Sequence, residues 1–139
     1  MVASIRVTKV DTRKLRQLKQ QIPDRFDGLI RGAAEEMTGD IKVSFGTSPP
    51  GETYTRGSVS HVASQPGYPP NIDIGTLRAS IRWLKDRRGR YIITDGVIYG
   101  AHLEIGTEAM EARPWMTPVI EEWRNKKFAE YARNNNIFY

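Results

Sequence analysis

The chain has 139 residues, 39% of them hydrophobic and 27% charged, with a formal net charge of +5 and no cysteine. That length fits one domain burying roughly two-thirds of its unfolded surface, enough for a single core. The missing cysteines exclude a disulfide framework, a thiol nucleophile and a cysteine zinc site; with no apolar run near the ~18 residues of a membrane span, no membrane crossing is expected.

Ser4 to Val10 alternates Ile5 and Val7 with Arg6 and Thr8, which predicts a short edge strand. From Asp11 the pattern turns helical, with Leu15, Leu18 and Ile22 on one stripe. Pro23 is expected to separate this segment from a second one, whose stripe is Phe26, Leu29, Ile30, Ala33, Met37 and Ile41. Ordinary core packing explains that stripe best.

Residues 46–76 hold five of the eight prolines and five of the twelve glycines, which predicts a long loop or arm. Within it, Thr53–Val62 has the Tyr, Thr and Val content for a hairpin extension around Gly57. Asp73 and Gly75 form a turn that is expected to launch a strand over 77–85. Leu77, Ala79, Ile81 and Trp83 then share one face, and Arg78 and Arg82 the other. Lys85–Arg90 is a basic turn, and Asp95-Gly96 is a hairpin signal that places Thr94 opposite Val97 and Ile93 opposite Ile98. Three antiparallel strands follow, at about 77–85, 90–94 and 97–105.

In the last of these, Tyr99, Ala101, Leu103 and Ile105 alternate with Gly100, His102 and Glu104 up to a turn at Gly106. Pro114 and Pro118 stiffen the loop that follows, and Thr117 is the expected N-cap of a helix over about 118–133. Val119, Ile120, Trp123, Phe128 and Tyr131 would face inward. The fold class is therefore α+β, an antiparallel sheet of three to four strands packed by two main helices, as a single domain over 1–139. Asn134–Asn136 ends the helix and leaves an apolar tip, Ile137, Phe138 and Tyr139, to fold back or to dock on a neighbour.

Chemistry is sparse. His61 and His102 are isolated, and neither Ser60 nor Ser80 sits in a nucleophile motif. No catalytic residue, metal ligand or cofactor site is assigned. Glu104 precedes a glycine turn and is expected to act as a clamp, accepting backbone N–H bonds from the following loop or pairing with Arg113 or Arg78. Arg82, Lys85, Arg87, Arg88 and Arg90, together with the tip, are candidate subunit or DNA contacts. A solvated hairpin end is the plainer reading of that basic turn.

Two segments carry a resemblance. Tyr99, Leu103, Glu104, Gly106, Thr107, Ala112, Arg113, Pro114, Trp115, Met116 and Pro118 form Y-x-x-x-L-E-x-G-T followed by A-R-P-W-M-x-P. Upstream, Pro66, Gly67, Pro69, Pro70, Asp73, Gly75, Leu77, Arg78, Ser80 and Ile81 form P-G-x-P-P followed by D-x-G-x-L-R-x-S-I. In that order they resemble the small head–tail joining proteins of long-tailed bacteriophages, the neck, tail-completion or minor tail proteins. The segments cover about a quarter of the chain. Trp115 stands where that family usually has Phe, Ile105 where it has an aromatic, and Ile74 where it has Thr or Ser.

The resemblance implies a structural virion protein that forms a homo-oligomeric ring at the head–tail interface. Its partners would be itself, neighbouring head-closure and tail-terminator or tail-tube proteins, and DNA passing through the lumen. It would act by binding and not by turnover. Two other classes stay open. One is a small basic ribonuclease of the toxin type using His102, Arg78, Arg82 and Glu104. The other is a nucleic-acid-binding module with steep salt dependence.

Overall fold

The computed structural model describes residues 13–73 and 75–135. The expected strand at Ser4–Val10 and the apolar tip Ile137–Tyr139 lie outside the described residues. The described chain is α+β, but the predicted three- to four-stranded sheet is replaced by two separate antiparallel pairs.

The first element, α1, runs unbroken over Arg13–Ser44, with Pro23 inside it. The expected division at Pro23 is therefore corrected. Proline removes one N–H, which leaves the Lys19 carbonyl without its helical donor. Its described neighbours upstream, such as Lys19, Gln21 and Ile22, are exposed, so water can take the donor's place. Beyond Pro23 the stripe behaves as core, with Leu29, Ala33, Ala34 and Ile41 buried. Phe26 is half-exposed and lies against Gly89 at a hairpin tip.

After α1 come β1 (Pro50–Arg56) and β2 (Val59–Ser64), a hairpin turning at Gly57, whose φ is +60°. The expected extension around Gly57 thus forms, and it is longer than Thr53–Val62. Pairing puts Tyr54 opposite His61 and Arg56 opposite Val59. Most of β1 is exposed, while β2 ends in the buried pair Ala63 and Ser64.

Gly75 sits at φ +80° and launches a helical turn, α2 (Thr76–Ser80), where a strand was expected. Leu77 and Ile81 are both buried, a spacing of four that a helical turn satisfies as well as alternation does. The chain then enters β3 (Arg82–Arg87) and returns as β4 (Arg90–Thr94), with Trp83 opposite Ile93 and Gly89 at the turn.

The third predicted strand is a helix, α3 (Tyr99–Ile105). Asp95-Gly96 leads into this helix and makes no hairpin, and Gly96 is not among the positive-φ glycines. The reason lies in packing. Gly100 is buried so closely on Asp95 and Leu77 that an added Cβ would overlap the carboxylate. Helical spacing then carries Leu103 to the core and Glu104 to the next loop, and leaves Ile98 and Ile105 at 88% and 77% exposure.

The chain closes as α4 (Thr117–Glu122), a π-helical turn at Trp123–Lys127 and α5 (Phe128–Asn134), one continuous helical rod. Val119 and Trp123 are buried as expected, whereas Phe128 is exposed. The rod lies antiparallel to α1. Trp123 donates its indole N–H to Asp40 at 2.7 Å, and Tyr131 crosses Gly32. The core thus gathers Ala33, Ile41 and Phe45 of α1 with Leu77, Ile81, Trp115, Val119 and Trp123.

Candidate functional site

Glu104 holds the end of α3 to the start of the rod. Its Oε2 accepts the backbone N–H groups of Trp115 and Met116 at 2.8 and 2.9 Å, and its Oε1 accepts that of Thr117 at 2.8 Å. Three donors of a helix start are thereby satisfied by a carboxylate from another element. Thr117 is already helical and Met116 is the cap position, with no side-chain bond of its own, so the expected Thr117 cap is corrected. Partial burial pushes the Glu104 carboxyl up, but the Thr117 side chain and the three N–H groups outweigh it and hold the carboxyl below its usual range.

The two motif segments meet here. Gly67 N–H donates to the Ala112 carbonyl at 2.8 Å. The guanidinium of Arg113 donates to the Ser64 carbonyl at 3.1 Å, and the indole of Trp115 to the Gly100 carbonyl at 3.0 Å. Gly106, at φ +78°, turns the chain so that its N–H returns to His102 and Thr107 bridges Met110. Pro114 and Pro118 flank the Glu104 clamp, and Pro118 occupies the first turn of α4. Ser80 closes α2 on the Leu77 carbonyl at 2.8 Å. These residues hold one another.

An open cleft of about 600 Å³ lies between the β1–β2 hairpin, the 70–78 segment and α3 with its following loop. Phe45 and Leu77 are its buried apolar walls, and Tyr99 and His102 are exposed at its rim. Asp73 accepts from Arg56 at 2.8 Å and faces His61 Nδ1 at 3.8 Å. Arg78 donates through Nε to the Lys42 carbonyl at 3.1 Å. The contribution of Tyr54, Arg56 and His61 was missed in the sequence. The hairpin register was the available signal, because Tyr54 and Arg56 are two apart and His61 stands opposite Tyr54.

The basic turn is largely neutralised. Lys85 pairs with Asp27 at 2.7 Å, Arg88 with Asp24, and Arg90 with Asp86 at 3.4 Å. Asp27 also accepts from Gly89 N–H at 2.7 Å and the Tyr91 hydroxyl at 3.2 Å. The Gly89 and Lys85 hydrogen bonds lower its pKa to about 2. Arg82 and Arg87 are exposed on β3.

The four residues of the ribonuclease reading do not converge. His102 and Arg78 border the cleft, Glu104 is committed to the rod, and Arg82 points to Gly96. Among the described residues no group of acidic, histidine or cysteine side chains could hold a metal ion, and no helix is long and apolar enough to cross a membrane. Compared with known proteins, the chain matches no family model, no curated protein and no solved structure.

Proposed function

We propose that this chain is a structural virion protein of a tailed phage, a ring-forming component of the head–tail interface that joins the tail to the DNA-filled head. The observation that carries this reading is the mutual packing of the two motif segments. Gly67 bonds Ala112, Arg113 bonds Ser64, and Glu104 clamps 115–117. Residues that resemble a family signature therefore serve as scaffold, which suits a protein that works by binding. The exposed β1–β2 hairpin and the outward Ile98 and Ile105 supply unpartnered surface for neighbouring subunits. Head-closure and tail-terminator or tail-tube proteins are the proposed neighbours, with DNA in the lumen.

The test is light scattering and electron microscopy of the purified protein, alone and mixed with isolated tails of its phage. Rings, or stoichiometric addition to one tail end, are expected. Cleavage of RNA that is abolished by His102→Ala, with no assembly, would overturn the reading.

A further inference from the structure

We propose that the cleft receives Ile137, Phe138 and Tyr139 of a neighbouring copy, an inference that rests on the self-assembly reading above. The cleft is apolar in its walls and cationic at its rim. Phe45 and Leu77 are buried there, and Ile72 and Tyr99 are 41% and 43% exposed. Of the guanidiniums that line it, Arg56 meets a carboxylate, Asp73. Arg78 and Arg113 hydrogen-bond backbone carbonyls of Lys42, Ser64 and Glu111. Two cations beside apolar walls suit aromatic side chains, which offer a π face to a guanidinium and a large area to bury. A volume of about 600 Å³ is in the range of small-ligand pockets, room for a few side chains.

Geometry decides which copy supplies the segment. The rod runs antiparallel to α1, with Trp123 at Asp40 and Tyr131 at Gly32. Asn135 therefore lies near Gly28. Phe45, at the cleft, is roughly 25 Å farther along the axis of α1 at 1.5 Å per residue. The four residues beyond Asn135 reach at most ~14 Å when fully extended. The segment cannot fill the cleft of its own chain, so its docking is between copies and head-to-tail. Such a heterologous contact closes into a ring when its rotation permits. The N-terminal residues are a poorer match, because they bring Arg6 and Lys9 and no aromatic ring to an already basic rim.

The cysteine-free sequence makes the test direct. Full-length Ile72→Cys and Phe138→Cys chains are mixed and oxidised, with Glu35→Cys replacing Ile72→Cys as control. A disulfide heterodimer specific to the 72–138 pair is expected. Separately, a labelled, amidated peptide of residues 133–139 is titrated onto full-length Phe138→Ala protein. Saturable binding is expected, weakened about tenfold or more by Phe138→Ala in the peptide or by Met110→Asp in the protein. Circular dichroism confirms that each variant is folded.

A 72–138 bond formed only within single chains carrying both substitutions, or no peptide binding, overturns the proposal. Rings that still form with Phe138→Ala and without the cross-link also overturn it, while leaving the assembly reading intact. Peptide binding and cross-linking in a protein that never joins tails would support the docking site and count against the phage role alone.

Discussion

Thr117 begins the C-terminal rod with its N–H held at 2.8 Å by the Glu104 carboxylate, a cap supplied by a residue thirteen positions earlier. Glutamine at 104 would keep the shape and lose half the acceptor capacity, turning an amide toward backbone donors. Glu104→Gln is expected to cost about 1–3 kcal/mol, read as a shift in the urea midpoint. Because the carboxyl is held below its usual range, its stabilisation is complete above the unfolded-state pKa and is lost as pH falls through the folded value. A variant as stable as the parent at pH 7 would show that the clamp contributes nothing.

Asp27 should shape the acid limb of stability. Its pKa of about 2 in the fold lies below the unfolded value near 4, so its contribution is full above that value and disappears as pH falls through about 2. Asp27→Asn is expected to lower the melting temperature at pH 6 and to flatten its fall between pH 4 and 2. A melting curve series from pH 2 to 6 checks both; parallel curves would count against it.

Gly32 and Tyr131 should be coupled. An added Cβ at Gly32 would overlap the Tyr131 hydroxyl, although alanine is the better helix former by about 1 kcal/mol. Gly32→Ala is expected to destabilise the parent and to be neutral or stabilising in a Tyr131→Phe background. The double-mutant cycle would then give a coupling of about 1 kcal/mol, and additive effects would contradict the contact.

Two positive-φ glycines should differ. A Cβ at Gly106 would come within 2.9 Å of Ala112 N and the Met110 carbonyl, both backbone, while Gly57 has open space around it. Gly106→Ala is expected to cost at least about 2 kcal/mol and Gly57→Ala about 1 kcal/mol, by thermal unfolding.

Parts of this fold were legible from local pattern, and parts depended on contacts that no local pattern encodes. The Leu29–Ile41 stripe, the hairpin at Gly57 and the turn at Gly89 follow from periodicity and glycine placement. Tyr99–Ile105 did not, because seven residues satisfy alternation and helical spacing together. What separates the two is the burial of Gly100 on Leu77, a contact across 23 positions. Asp95-Gly96 misled for a related reason, since a turn-prone pair can start a helix as readily as a hairpin. For the site, Glu104 was readable from its place before a glycine turn. The cleft was not, because it needs the hairpin that carries Tyr54 and His61 to lie beside α3.

The π turn at Trp123–Lys127 lets the rod hold one additional residue while keeping its register on α1. The Phe128 N–H bonds back to the Trp123 carbonyl, five positions earlier, so this turn carries one residue more than an ordinary α turn. Deleting one residue between Arg124 and Lys126 would leave Trp123 on Asp40 and restore regular helix. Seven ordinary α steps of about 100° return a side chain to within about 20° of its starting face, so Tyr131 would stay on the same side of the rod as Trp123. Tyr131 would keep its place on Gly32, whereas the same deletion just after Lys127, in regular helix, would turn Tyr131 about 100° away. A lost codon is thus absorbed inside the π turn and turns the chain's end away when it falls just beyond it, so the turn marks where a length mutation passes from silent to disruptive.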